Sequence, residues 1–498
     1  MKKQAFNPYL PSYEYVPDGE PHIFENKDGE KRLFIFGSHD GFGDDEFCLN
    51  DYVTWSAPLD DLGNFRFEGV IYRKNQDPAN KKGKSHMNAP DVCRGIDGRY
   101  YLYYQLHDKM FTSVAVADYP EGPYEFYGYV HHPDGKKYCS KKGDSYNFDP
   151  GILVDDGHVY MYTGFAPNSE FPWIFQLAMK FGGASFMGGT CVELDEDMLT
   201  VKSKTYRLIP GEKEARGTAF EGHGFFEASS PRKINGKYYL VYSSSKSHEL
   251  CYAVSDSPTG KYEYGGTLIS IGDIGLDGID TKEKAVNYTG NTHGGLVEVN
   301  GQWYIFYHRQ TNKKKCNRQG CAEKVFFTSD EKIKQVEMTS CGLNDGALSG
   351  IGEYEARIAC NLFCREESFS YDAYMEGDKS GHPFLTQSGT DRENNPDQYI
   401  ANMSDGAVAG YKYFDFGKGK PSEIIVSVRG MAKGKMSVYT DITCKEQVAA
   451  VPVDVKDKES YVRLSGNIDV QESILPLYFR YEGEGTVDFY SFELKGLV

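Results

Sequence analysis

Hydrophobic and polar positions alternate in short runs along this chain. Five of the runs share one arrangement, a turn dipeptide of Asp-Gly or Asn-Gly followed by an aromatic-rich stretch. The turns are Asp28-Gly29, Asp97-Gly98, Asp156-Gly157, Asn235-Gly236 and Asn300-Gly301, and the runs are KRLFIFGS, RYYLYYQL, HVYMYTGF, KYYLVYSS and QWYIFYHR. An Asx-Gly pair suits a type I′ hairpin turn, whose two central residues both take positive φ, while Tyr, Phe and β-branched residues suit strands. Each unit therefore predicts a tight β-hairpin. The turn glycines are separated by 69, 59, 79 and 65 residues, which leaves room for four strands and long loops. The repeat thus predicts a five-bladed β-propeller of four-stranded blades.

A candidate inner strand lies upstream of each turn and opens on a polar residue, 7 to 11 residues before the turn glycine: Asp18, Asp91, Asp149, Glu227 and His293. The innermost strands of a propeller line its channel, so these five positions should converge at one end of it. Any one of them alone reads as a turn or cap residue. Five in phase, all acid or imidazole, point to function, because gathering like charges at a dry axis is costly.

The repeat ends at QWYIFYHRQ, and the basic, polar TNKKKCNRQGC reads as an exit loop. KVFFTSD, QVEMTSC and EARIACNLF then form a connecting β-rich segment that wraps onto the propeller. From about residue 366, YDAYMEGDKSG, QYIANMSDGAVAGYKYFDFGKG, KMSVYTDI, YVRLSG, LPLYFRYEG and TVDFYSFEL read as short strands of a β-sandwich. The expected organisation is all-β: a propeller at 1–321, a connecting segment at 322–365 and a sandwich at 366–498.

Composition narrows the partners. With 498 residues the chain exceeds the size of a single core, and 38 Tyr and 30 Phe against 3 Trp favour β architecture. A formal charge of -17 argues against nucleic acid, whose binding rests on Lys and Arg. MKKQAFNPYLPSYEY has no apolar h-region, and no stretch is long and apolar enough for a membrane span, so the chain is read as cytoplasmic with no membrane partner. The eleven cysteines are scattered without CxxC or zinc spacings and read as reduced thiols.

Two carboxyl groups on opposite sides of a bound sugar suffice for glycoside hydrolysis, one protonating the leaving oxygen and the other activating water or attacking. Asp18 and Glu227 fall on blades one and four, across the channel. Glu227 follows Phe225 and Phe226, which desolvate it, and Asp149 on the adjacent blade is a like-charge neighbour; both features raise an acid's pKa. Asp18, with little apolar cover, is placed to stay ionised as base. Glu221 in AFEGHGFFE is a rival acid, out of phase with the repeat. His293 reads as a second acid-base group, a ligand of a central cation or a polar plug, and a cation among carboxylates suggests calcium held partly through water. Asp40, Phe42 and Arg309 are candidate sugar contacts, each with a structural alternative as turn cap, wall or salt bridge. NKKGKSH reads as a solvated loop.

These residues resemble glycoside hydrolase family 43. NPYLPSYEYVPDGEPHIF, FIFGSHD, NAPDV, FDPGILVDDGHVYMYTG, GHGFFEASSPRKINGKYYLVYSS and GNTHGGLVEVNGQWYIFYHRQ look like that family's ordered signature over roughly residues 7–310. The resemblance implies a five-bladed propeller and an inverting mechanism with Asp18 as general base, Glu227 as general acid and Asp149 as the residue that tunes and orients the acid. It also implies Asp91 as a supporting axial carboxylate, counted with Asp40, Phe42 and Arg309 among the candidate sugar contacts, and His293 as the histidine associated with a central calcium. Two departures stand out: Pro-Asp-Gly replaces Asp-Pro at the base, and Asn88 replaces an aromatic before Ala-Pro-Asp. The expected activity is exo-acting release of α-L-arabinofuranose or β-D-xylose from oligosaccharide or polysaccharide fragments of arabinoxylan or arabinan, without an organic cofactor. Alternatives are endo-arabinanase or galactan cleavage, and a non-catalytic glycan-binding propeller. The C-terminal strands resemble a family 6 carbohydrate-binding module, a jelly roll; without Trp beyond Trp303 the domain reads slightly better as a buttress.

Overall fold

The computed structural model describes residues 4–167, 184–364, 382–391 and 397–496. Four four-stranded antiparallel sheets and one three-stranded sheet form the blades. Blade one holds Glu20–Glu25, Lys31–Phe36, Tyr52–Pro58 and Arg66–Tyr72; blade two Asp91–Arg94, Tyr100–Gln105, Thr112–Ala117 and Glu125–Tyr129. Blade three holds Gly151–Asp155, His158–Phe165, Gly188–Leu194 and Tyr206–Ile209; blade four Phe225–Ile234, Lys237–Ser244, Glu249–Ser255 and Glu263–Ser270. Blade five is Leu296–Val299, Gln302–Thr311 and Lys314–Val325. Residues before blade one close the ring against this last strand: the Tyr9 N–H donates to Gly320 O at 3.2 Å, and the Asn7 side chain bonds the Ala322 backbone both ways.

The five aromatic runs are the second strands. Each is buried on both faces, which is why they are apolar almost continuously. In blade two, Tyr100, Leu102 and Tyr104 pack toward blade one, and Tyr101 and Tyr103 toward blade three. Large rings fill the wedges between blades.

Three of the five turns are two-residue type I′ turns as expected: Asp156-Gly157, Asn235-Gly236 and Asn300-Gly301 have both residues at positive φ. The first two differ. In blades one and two the pairing stops at Glu25↔Lys31 and Arg94↔Tyr100, so the connections span 26–30 and 95–99, and only Gly29 and Gly98 take positive φ. In the first, the Asn26 side chain caps the backbone N–H groups of Asp28 and Glu30, allowing a longer loop.

The expected exit loop is a strand. Lys314–Val325 pairs with Gln302–Thr311 through a tight turn at Asn312-Lys313, both at positive φ. This segment looks like a loop in sequence because its buried residues are polar and because Lys, not Gly, stands second in the turn. Of the segment 322–365, Val336 bridges to Ile269 of blade four, whereas Leu348–Ser349, Gly352–Glu355 and Asn361–Cys364 pair into the C-terminal sheet. They join that sheet because their apolar residues Leu348, Tyr354 and Leu362 belong to its core. YDAYMEGDKSG lies outside the described residues.

The C-terminal domain is a nine-stranded sheet in which three long strands, Pro421–Tyr439, Gln447–Asn467 and Ile474–Gly496, fold over one core. It docks on the propeller through polar contacts. Buried Lys412 bonds Asp273 at 2.9 Å and Glu337 at 2.8 Å, Asn361 also donates to Asp273, and buried Arg309 donates to the carbonyls of Ala359 and Arg357.

Candidate active site

Strand register decides which side chains share a level of the channel. Glu20 pairs with Phe36, and counting the same number of residues past each turn glycine along the other second strands places Ala89, Asp149, Glu227 and His293 at equivalent levels. The five positions expected to be in phase are therefore not all so. Asp91 sits two residues deeper than this ring and Asp18 two residues nearer the mouth.

Asp18, Asp149, Glu227 and His293 line one cavity of about 730 Å³. Asp18 and Asp149 take φ of 57° and 46°, and Ala228, next to Glu227, takes 69°. Non-glycine residues held in this region cost of order 1–3 kcal/mol each, and the surrounding ladder imposes them where the side chains must turn into the channel.

Asp18 is the most tightly held carboxylate. Arg318 Nη1 lies 2.9 Å from its Oδ1, Ser38 donates to Oδ2, and His308 Nδ1 is 3.2 Å from Oδ1. Burial by itself would raise Asp18, but the Arg318 guanidinium outweighs it and holds the carboxyl well below the usual carboxylate range. His308 is lowered by its own burial and stays neutral, with Nε2 2.9 Å from the Asn291 carbonyl.

Glu227 is in the opposite state. Burial and then negative Asp149 push it up to about 8. Asp149 is raised to about 7 by burial, with His293 opposing, Asp18 adding and the Ala228 backbone N–H favouring the charged form. His293 stands between two carboxyl groups, Nδ1 3.7 Å from Asp149 Oδ2 and Nε2 3.6 Å from Glu20 Oε1. Its burial favours the neutral ring, but Glu20 and then the neighbouring aspartates reverse this and raise it to about 9.

Four sequence candidates do other work. Asp91 is fully buried; its Oδ1 accepts from the Val92 N–H and faces His22 Nε2 at 2.7 Å, and its Oδ2 accepts from the Ile152 N–H. It ties blades one, two and three together, fully buried and outside the lining of the cavity. Asp40 grips Arg318 in a two-pronged pair, Nε to Oδ2 at 2.8 Å and Nη2 to Oδ1 at 2.9 Å. Phe42 packs on Tyr15 with centroids 5.7 Å apart, while Phe47, Phe148 and Phe226 form the aromatic wall. Arg309 braces the second domain. Glu221, the rival acid, is exposed and accepts from the Gly217 N–H.

Sequence reasoning missed Arg318, Glu20, His308 and Phe47. Arg318 lay in the presumed exit loop, although NRQG following the last aromatic run was a signal that the strand returns. Glu20 was visible two residues after Asp18, on the same face of the strand. Asn88, the departure noted above, lines the cavity with a buried, unpartnered side-chain NH₂, suited to a sugar hydroxyl.

A propeller whose axial cavity pairs a protonated carboxyl with an ionised one is the architecture of a glycosidase. The chain matches the model of the glycosyl hydrolases family 43 over residues 23–333 and belongs to that family. It is 47% identical over 494 residues, 99% of each chain, to a xylosidase/arabinosidase of Thermoclostridium stercorarium. It is 30% identical to a xylosidase/arabinosidase 43A of Humicola insolens, over 64% of this chain and 96% of that one. A β-xylosidase/α-arabinofuranosidase from a compost microbial metagenome, solved with xylotriose in a calcium-free form, superposes with a TM-score of 0.50 at 25% identity, over 68% of this chain and 98% of that one.

Proposed function

We propose that this enzyme is an inverting, exo-acting pentosidase that releases α-L-arabinofuranosyl and β-D-xylosyl residues from the ends of arabinoxylan or arabinan oligosaccharides. One observation carries the reading: a single cavity holds Glu227, kept protonated near neutral pH, and Asp18, kept ionised. Glu227 donates its proton to the departing glycosidic oxygen. Asp18 accepts a proton from the attacking water as it adds to the anomeric carbon. Asp149 keeps Glu227 protonated by like-charge repulsion, and Arg318 keeps Asp18 charged and oriented. The names of the relatives at 47% and 30% identity support the pentose specificity, and both sugars follow from those names.

Calcium at the axis is tested by the donor atoms present. Glu20 Oε1 and His293 Nε2 are both buried without a hydrogen-bond partner and lie 3.6 Å apart. Adjacent ligands each at about 2.4 Å from one calcium ion are separated by roughly 3–4 Å, so the pair fits once His293 has given up the proton that its carboxyl neighbours favour, with water completing the shell. When bound, the ion would supply fixed positive charge beside Asp149. The His22 and Asp91 donors nearby are already taken up by each other and by backbone N–H groups.

The test is hydrolysis of aryl α-L-arabinofuranoside and aryl β-D-xyloside by the wild type, Asp18→Asn and Glu227→Gln, with proton NMR of the first-formed anomer. Equal rates in the three proteins would sink the mechanism. A first product with retained configuration would replace inversion by a covalent route.

A further inference from the structure

The connection between the second and third strands of blade one, residues 37–51, carries Phe47 and Cys48 to the cavity wall but contains neither strand nor helix. A loop of this length takes its shape from what it is bonded to. Its shorter internal ties are near its ends, where the Asn50 N–H donates to His39 O at 2.9 Å and the Cys48 N–H to Asp40 Oδ1 at 3.0 Å, while the middle has one long bond, from the Asp44 N–H to Gly41 O at 3.4 Å. Its middle is fastened from outside.

One set of fastenings comes from blade five. Asn317 Oδ1 accepts from the Gly43 N–H at 2.8 Å, Asn317 Nδ2 donates to Gly41 O at 3.0 Å, and Cys316 Sγ donates to Asp44 O at 3.0 Å. The Arg318 guanidinium lies over the Phe47 ring, 4.8 Å from its centroid. A second set comes from the C-terminal domain. Asp391 Oδ1 accepts from the Phe42 N–H at 2.8 Å.

The same domain also holds the blade-five hairpin that does the fastening. Leu385 O accepts from the Asn312 N–H at 2.7 Å, and Thr386 Oγ1 donates to Asn312 Oδ1 at 2.9 Å. Asn312 Nδ2 in turn donates to Asn317 Oδ1 at 3.0 Å. Lys313 in this turn takes φ of 50°, a conformation that a lysine keeps only where its surroundings impose it. Its ammonium sits 4.2 Å from the centroid of Phe384 in the second domain. A continuous path of hydrogen bonds therefore runs from the second domain, directly through Asp391 and indirectly through Asn312 and Asn317, to the loop that presents Phe47.

We infer that the second domain is a working part of the substrate pocket: Asp391 is a positioning residue that acts through Phe47, fixing the ring against which the bound pentose packs. This rests on the glycosidase reading of the cavity. The domain therefore contributes to catalysis without touching the sugar, in the way a second layer of contacts fixes the layer that binds. A loosened Phe47 weakens sugar binding before it affects proton transfer, because Asp18 and Glu227 are held by other blades and by Arg318. The effect belongs in KM rather than kcat.

The experiment uses the full chain with aryl β-D-xyloside and aryl α-L-arabinofuranoside. Asp391→Ala, Asp391→Asn, Phe47→Ala and the Asp391→Ala/Phe47→Ala double variant are compared with the wild type, with melting temperature as a control for folding. Asp391→Ala is expected to raise KM about three- to tenfold, the scale of the net contribution of one hydrogen bond, with kcat within about twofold. Asp391→Asn keeps the acceptor oxygen and should restore KM to near wild type. The double variant should match Phe47→Ala alone, since a residue acting through another adds nothing once that one is gone. An unchanged KM in Asp391→Ala, or additive effects in the double variant, overturns the inference while leaving the glycosidase reading intact. A wild type inert on both glycosides overturns both.

Discussion

Arg318 spans Asp40 and Asp18: Nε and Nη2 hold the two oxygens of Asp40, and Nη1 reaches Asp18 Oδ1 at 2.9 Å. Asp40 fixes the guanidinium, and the guanidinium fixes the base. An ion pair this buried is sensitive to loss of either end, because the survivor is left charged and unpaired.

Arg318→Met should lower kcat/KM by about 10² or more and move the acid limb of the pH profile upward. Activity needs Asp18 ionised, Arg318 is what holds it low, and without that charge burial raises it. Asp40→Ala should produce a smaller shift in the same direction. An acid limb unmoved in both variants, read from kcat/KM against pH, removes Asp18 from the role of base.

Activity should fall as pH rises through about 8, since Glu227 must be protonated to donate and is pushed up to about 8 by burial and then by Asp149. Replacing Asp149 with Asn deletes a negative neighbour, so the alkaline limb should move to lower pH. Glu227→Gln should cost about 10²–10⁴-fold on a sugar leaving group and much less on a 2,4-dinitrophenyl glycoside, whose departure needs little proton donation.

The same buried acid makes stability depend on pH. Glu227 has a folded-state pKa near 8 against an ordinary value of 4.5. Its favourable contribution is complete below 4.5 and is lost as pH rises through 8, because ionisation is easier in the unfolded chain. The melting temperature of Glu227→Gln relative to wild type should therefore increase progressively between these pH values. A pH-independent difference argues that Glu227 is already ionised in the fold.

Chelation should lower activity and added calcium should restore it, with Glu20→Ala abolishing the response by removing one of the two unpartnered donors. Activity that is identical with EDTA and with calcium counts against the axial ion.

Asp91→Ala should behave as a structural change. It strips two backbone N–H groups and His22 of their acceptor, a loss of about 3–5 kcal/mol for a buried, paired carboxylate. KM on the remaining folded enzyme should stay within about twofold, since Asp91 does not line the cavity. A large KM increase without loss of stability would restore the sugar-binding role that the sequence suggested.

The blades were legible because their causes are local. An Asx-Gly pair followed by an aromatic run specifies a hairpin wherever it falls, and five repetitions leave few alternatives to a propeller. Asp149, Glu227 and His293 were legible by the same repetition, and Asp18 by lying at the mouth of the first inner strand, two residues off the shared level. The fifth blade's last strand was not: in Lys314–Val325 the buried residues Asn317, Arg318 and Gln319 are polar, and hydropathy reads a buried polar strand as a loop.

Short-range pattern alone carried the number of blades, and it brought Asp18, Asp149 and Glu227 forward as the candidate base, the acid's neighbour and the candidate acid. Only the tertiary structure decided what Asp40, Asp91, Phe42 and Arg309 do. A polar side chain acquires its role from the partner it meets, and those partners are far away in the chain: Asp40 meets Arg318 across 278 residues, and Asp91 meets Ile152 across 61. Burial then converts each encounter into either a held charge or a suppressed one. That is why Asp18 and Glu227, both carboxyl groups in one cavity, end in opposite protonation states.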